Sequence, residues 1–290
     1  MNRFRITVPG ADPALLNYET AKEKLFVKLC CPETSRDFLR LVPHTRIQDM
    51  EATYHLMLPS GKDGIASVMV DHELFGRFNI GLEQLHKDAM ENTPRLLPPM
   101  AFAMTDMLFG TAQMPQVTSA NWREGFREQL QELSFRDTNM IVISNNKMMG
   151  GASCICDQEI MRMVADQMKE NFFILPSSVH EVILVPDNGT LQPAALEDMI
   201  VTVNNFEVAP QDKLSDTLYH YDVKDNLLER ASVFERRMQE KAMERSAERP
   251  VPAKNVTIER ESIKVRLESA AKESAAQPLK KAPGKEQLLN

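Results

Sequence analysis

Phe172-Phe173-Ile174-Leu175-Pro176-Ser177-Ser178-Val179-His180-Glu181-Val182-Ile183-Leu184-Val185-Pro186-Asp187 is the stretch on which the fold turns. Its two apolar runs, 172–175 and 181–186, are too short for buried helices and rich in β-branched and aromatic residues, so they read as strands. Pro176 and the serine pair supply the turn between them. Pro193 then opens a run in which Leu196, Met199, Ile200 and Val203 fall at i, i+3, i+4 and i+7, the spacing of a helix with one buried face.

The same order occurs twice before it. Residues 53–58 and 64–70 flank the turn Pro59-Ser60-Gly61-Lys62-Asp63, and helical signals follow as far as Glu91. Residues 140–144 and 151–156 flank a Gly-containing turn and precede a helix over 158–169, with Ile160, Met163, Val164 and Met168 on one face. An Asp (Asp71, Asp157, Asp187) stands where each second strand gives way, suited to accept from the free N–H groups of a turn or helix start. Hairpins followed by helices predict an α+β fold, a mainly antiparallel sheet built from three β-β-α units with helices on one face.

Outward from these units, Thr20-x-x-Glu23 reads as a capping box and Leu25, Phe26 and Leu29 as a helical stripe ended by Pro32. Phe38, Leu39 and Val42 form a second short segment, so a helical lead-in is expected over 19–42. A helical insertion is expected over 97–135, with Met100, Met104, Met107 and Leu108 in one stripe and Trp122, Phe126, Leu130 and Leu133 in another. Packing on the core is the favoured reading of these stripes, and docking of a partner the alternative. Residues 1–225 then form a single domain and 226–248 a charged helix carrying Leu227, Ala231, Phe234 and Met238. Residues 249–290, dominated by Pro, Ala, Ser, Lys and Glu, form a disordered tail whose removal leaves stability nearly unchanged.

Hydrophobic residues at 43% suffice for a sizeable core, and 18 Met against 6% aromatics mean that thioethers fill much of it. The net charge is −7; residues 247–290 hold nine basic and six acidic side chains, leaving −10 on the remainder. That balance excludes a nucleic-acid binder of the whole-protein kind and leaves only weak nucleic-acid contact through the basic tail. The first residues lack the apolar run of a signal peptide, and the apolar segment 96–114 is broken by Pro98, Pro99 and Asp106. A cytoplasmic protein with no membrane contact is therefore expected. Cys30-Cys31 and Cys154-x-Cys156 match neither a disulfide framework nor a zinc half-site and read as reduced packing residues.

Candidate chemistry concentrates in the opening stretch. Ser177, Ser178, His180, Glu181 and Asp187 put a nucleophile, a base and an orienting acid nominally within one hairpin. No Gly-x-Ser-x-Gly elbow accompanies them, and serines bonding their own backbone explain the same letters. Of the six histidines, His86 lies on the apolar face with Leu82, Leu85 and Ala89, and His55 alternates with Tyr54 in a strand. None forms H-x-x-x-H, so a metal would have to join distant His55 and His180. Gly150-Gly151 lacks the Lys-Ser/Thr of a phosphate loop, and no cofactor or metal is expected.

Four segments carry a resemblance. They are Pro43-His-Thr-Arg-Ile-Gln-Asp-Met-Glu-Ala-Thr-Tyr54, Glu83-Gln-Leu-His-Lys-Asp-Ala-Met-Glu-Asn-Thr-Pro-Arg-Leu96, Phe173 to Pro186, and Leu214-Ser-Asp-Thr-Leu-Tyr-His-Tyr-Asp222. Together, over roughly residues 20 to 225, they resemble a bacterial domain of unknown function common in anaerobic gut bacteria and associated with mobile genetic elements. The resemblance implies no activity, cofactor or catalytic residue, and leaves open a truncated N-terminus relative to the family. Two functions stand from the sequence. The leading one is a non-enzymatic interaction or accessory protein of a bacterial mobile element, with another protein as partner. The alternative is a hydrolase-like enzyme using Ser177, Ser178, His180 and Glu181.

Overall fold

Asn17 starts the first helix, α1 (Tyr18–Ala21), by accepting the Glu19 N–H on its side-chain oxygen at 2.9 Å. The cap is thus Asn17 and not Thr20. The structure, a computed structural model, describes residues 13–59, 65–113, 117–133, 140–176 and 178–247. It divides into two units, Met1–Met238 and Gln239–Asn290, and of the second only 239–247 are described.

The first sheet is built around one long strand. Strand β1 (Leu25–Cys30) is followed by α2 (Arg36–Leu39), β2 (His44–Ile47), β3 (Met50–Met57) and β4 (Ser67–Met69). β3 is paired antiparallel along one edge by β1, from Leu25↔Leu56 to Cys30↔Glu51. Its other edge is shared between β2 and β4. The helical lead-in expected over 19–42 is corrected here, because 25–30 is a strand. Leu25, Phe26 and Val27 are all fully buried, so both faces are apolar and the helical spacing of Leu25 and Leu29 carries no information.

Asp71 caps α3 (His72–Phe78), accepting from Leu74 N–H at 2.8 Å. Next, α4 (Leu82–Leu96) packs on the first sheet with Leu85 and Ala89 buried, and Thr93 Oγ1 accepts the Val27 N–H at 3.0 Å. His86 lies at the edge of this contact, with Nδ1 3.0 Å from the Tyr54 hydroxyl.

The remaining elements are β5 (Pro99–Ala103), α5 (Met104–Phe109), α6 (Trp122–Glu132), β6 (Ile141–Asn145), α7 (Gln158–Met168), β7 (Phe172–Leu175) and β8 (Val182–Pro186). After them come α8 (Pro193–Phe206), β9 (Tyr219–Asp222), β10 (Leu227–Arg230) and α9 (Ala231–Ala247). They contain a second antiparallel sheet of order β10-β9-β7-β8-β6-β5. The class is α+β with antiparallel sheets and helices, as the patterning predicts. The three expected units fall on two sheets, and in the middle one the second strand is replaced. Residues Gly151–Cys156 form a 3-10 helix, because Gly150 turns left-handed (φ 67) and directs Gly151 N–H to the His180 carbonyl.

The expected helical insertion begins with a strand, β5, since Pro99 at a first strand position costs no ladder bond. Its second stripe is core: Trp122, Phe126 and Leu130 are buried among Ile141, Ile143, Ile160 and Val164. Met104 and Met107 pack against that core, whereas Leu108 and Phe109 are 74% and 80% exposed. The charged helix starts at Ala231, four residues later than the stripe suggests, because Leu227–Arg230 pairs with β9. Alternation along β7 sends Phe172 and Ile174 into the main core and Phe173 and Leu175 into a smaller cluster with Leu196 and Ile200 of α8. Among the described residues no helix is long and apolar enough to cross a membrane.

Candidate functional site

The predicted hairpin site is dispersed by its own hydrogen bonds. Ser177 lies outside the described residues. Ser178, a residue 5% exposed, accepts the backbone N–H of His180 on Oγ at 3.0 Å, a local turn bond. The His180 ring accepts the Gly150 N–H on Nδ1 at 3.2 Å, and its Nε2 lies 3.3 Å from Asp212 Oδ1. A neutral ring that accepts at Nδ1 carries its proton on Nε2, the nitrogen beside Asp212. The His180 carbonyl accepts from Ser144 Oγ at 2.7 Å and from Gly151 N–H at 3.0 Å. A Cβ at Gly151 would stand 2.3 Å from Ser144 Oγ and 2.5 Å from the His180 carbonyl oxygen. Only glycine fits there. His180 thereby joins the 150–151 turn, the entry to β8 and the Asp212 loop.

Glu181 takes no part in these bonds, and Asp187 belongs elsewhere. Asp157 caps α7 through Glu159 and Ile160 N–H at 2.8 and 3.1 Å, but Asp187 instead holds Nε2 of His220 at 3.1 Å. The His220 ring is fully buried, stacked on Phe234 at 3.6 Å between centroids and edge-on to Phe173. Burial lowers its pKa, against the opposing pull of Asp187. One turn beyond Phe234, the Arg237 guanidinium reaches Asp222 at 2.8 Å, Asp225 at 2.6 Å and Glu229 at 3.0 Å. Its hydrogen bonds to Glu229 and Asp222 raise its pKa further. Sequence reading missed this clamp. The signal was the pair Phe234 and Arg237, three apart on a helix facing the acidic Asp222-x-x-Asp225 turn.

The first sheet has a polar face on which Lys28, Thr53, His55 and Ser67 gather. His55 Nε2 is 3.1 Å from Thr53 Oγ1, and burial followed by the charge on Lys28 pushes the imidazole down to about 3. Burial likewise lowers Lys28, whose amine reaches Ser67 Oγ at 3.4 Å. Burial pushes the Cys30 thiol up to about 11 and Cys156 up to about 12, so both are protonated near neutral pH. Among the described residues no cluster of three or more His, Cys, Asp or Glu is arranged to hold a metal ion.

An open cavity of about 440 Å³ lies between α2 and β2, lined by Glu33, Arg36, Leu39, Arg40, His44 and Arg46. One turn of helix separates Arg36 from Arg40, and both project beside the β2 residues His44 and Arg46. Glu33 accepts from the Cys31 thiol at 3.0 Å, and His44 donates Nδ1–H to the Val42 carbonyl at 2.9 Å.

A family model described as a family of unknown function, DUF5688, matches residues 9–223. The chain belongs to DUF5688. No curated protein and no solved structure matches it. The DUF5688 span takes in both sheets up to β9, the His180 cluster and the arginine-lined cavity, and ends before β10 and α9. The Arg237 clamp is thus built by residues beyond the matched span reaching back to its last strand.

Proposed function

We propose that this DUF5688 chain is a non-enzymatic interaction or accessory protein, acting with another protein in the cytoplasm of a bacterium and in the service of a mobile element. The mobile-element and cytoplasmic parts rest on the resemblance of the four quoted segments and on the composition. The observation that carries the non-enzymatic reading is the state of His180. Nδ1, the ring nitrogen that accepts, is taken by the Gly150 N–H, and Nε2 lies beside Asp212 at 3.3 Å, so no accepting nitrogen is left to take a serine proton. The Ser178 hydroxyl oxygen accepts a backbone N–H, which is the bond of a structural turn.

The test is a serine-reactive fluorophosphonate probe applied to the folded protein. The expected result is no labelling of Ser177 or Ser178 above that of the denatured chain. Labelling that disappears in His180→Ala would establish the hydrolase reading instead. Chemical cross-linking in native lysate, read by mass spectrometry, then identifies the partner protein; recovery of the chain alone counts against the interaction reading.

A further inference from the structure

The cavity between α2 and β2 gathers basic side chains that the His180 cluster leaves unused. Three arginines, Arg36, Arg40 and Arg46, line one concavity in a chain whose net charge is −7. Two have neighbours that hold them loosely or in part. Arg40 meets Asp37 at 3.3 Å, a carboxylate 95% exposed. Arg46, itself 62% exposed, meets the buried Glu51 at 3.3 Å and the Gln48 carbonyl at 3.0 Å, so that further N–H groups of its fork remain for a ligand. Arg36 is exposed and has no carboxylate partner among the described residues. The one acidic side chain of the lining, Glu33, is occupied by the Cys31 thiol. The exposed pair of Arg40 with Asp37 is worth about 0–1 kcal/mol, so an incoming anion displaces it at little cost.

We infer that this cavity binds a small organic phosphate, with Arg36, Arg40 and Arg46 as the groups that hold its terminal phosphate. The geometry favours phosphate over carboxylate. The arginines come to the site from a helix and its end and from a strand, and a tetrahedral oxyanion offers acceptors in several directions, whereas one guanidinium fork already satisfies a planar carboxylate. The charge agrees: three cations against Glu33 complement the charge of about −1.5 to −2 on a phosphomonoester near neutral pH. A volume of about 440 Å³ is that of a small-ligand site, and the arginines form one concave cluster instead of the extended basic stripe that a nucleic acid requires. The inference goes beyond the interaction reading and does not depend on it.

Isothermal titration calorimetry on the full chain tests it with three probes: inorganic phosphate, adenosine monophosphate and succinate. Saturable binding of at least one phosphate is expected, at a dissociation constant of about 1 mM or tighter, with succinate weaker by roughly tenfold. Tighter binding of adenosine monophosphate than of inorganic phosphate assigns the site to an organic phosphate; equal binding assigns it to the free ion and overturns the organic part of the inference. Arg36→Ala and Arg46→Ala should each weaken phosphate binding roughly tenfold, while Arg77→Ala, an exposed arginine on α3, leaves it unchanged. Arg36 makes no ion pair among the described residues, so its variant is expected to fold, and a circular-dichroism melt verifies that. No saturable phosphate binding, succinate as tight as phosphate, or an equal loss in Arg77→Ala would overturn the inference.

Discussion

The backbone N–H of Gly150 donates to Nδ1 of His180 at 3.2 Å, across thirty residues of sequence. That bond fixes the tautomer of the neutral ring and leaves its proton on Nε2, the nitrogen beside Asp212. Replacing His180 with Ala leaves a turn N–H and a carboxylate without their imidazole. A loss of about 1–3 kcal/mol is expected, measured as a shift of the urea midpoint at unchanged slope. Ser178→Ala removes only one local turn bond and should cost about 0.5–1.5 kcal/mol. If Ser178→Ala proves the more damaging of the two, the structural role given to His180 is wrong.

Glycines give a sharper contrast. Gly151→Ala places a methyl group 2.3 Å from Ser144 Oγ, 2.5 Å from the His180 carbonyl and 2.7 Å from Asn145 N, where two of the three atoms are backbone. The turn must shift, and a loss of about 3 kcal/mol or more is expected. Gly76, in the middle of α3, has nothing within 4 Å of an added Cβ. Gly76→Ala should raise stability by about 0.5–1 kcal/mol through helix propensity alone. Thermal melts of the two variants beside the parent chain check both signs at once.

How far the sequence carried the fold depended on which period its apolar residues could show. β7 and β8 sit within a residue of their expected limits, because the runs are short, β-branched and bounded by Pro176 and Pro186. β3 was legible for the same reason. β1 was not: a strand buried on both faces has no alternation, and Leu25 with Leu29 imitates a helix. The 3-10 turn at Gly151–Cys156 is decided by the His180 carbonyl, a contact no local pattern encodes. Of the candidate site, the sequence shows residue types but not the directions in which the side chains turn. His180 lies beside Asp212, a residue that no local pattern singles out, and Asp187 turns to His220 instead of capping α8. The arginines of the α2–β2 cavity are not legible as a group because nine residues of helix, loop and strand separate Arg36 from Arg46.

Acid sensitivity should come from the first sheet. The folded imidazole of His55 titrates at about 3, whereas an unfolded one titrates near 6.5. Above both values neither state holds the proton, and the stability is fully present. Between them the unfolded chain takes up a proton that the folded chain refuses, so stability falls as pH drops from about 6.5 towards 3. The slope reaches about 1.4 kcal/mol per pH unit for one such group. His220 and His86, both lowered chiefly by burial, act in the same direction. Urea midpoints between pH 7 and 5, above the main titration of the carboxylates, should decline in the parent chain and decline less in His55→Gln. An identical decline in the two would show that His55 is not the buried group responsible.

Arg237 poses the last test, because it holds the first turns of α9 against the β9–β10 hairpin. Asp222 and Glu229 are each 6% exposed, and the guanidinium bridges them while also meeting Asp225 at the rim. Arg237→Ala takes the cation away from two buried carboxylates, which is costlier than never having built the pair. A loss of about 3–5 kcal/mol is the usual size for such a break, and the 22% exposure of the Arg237 side chain places this one towards the lower end. Arg237→Lys should recover only part of it, since an ammonium cannot present the fork that meets three carboxylates from one side. Hydrogen exchange gives the local readout: amides of 231–238 should lose protection in Arg237→Ala before those of β7 and β8 do. Phe234→Ala should weaken the same amides by removing the ring stacked on His220. Uniform loss of protection across both sheets in either variant would mean that α9 is part of the global folding unit and not a separately held latch.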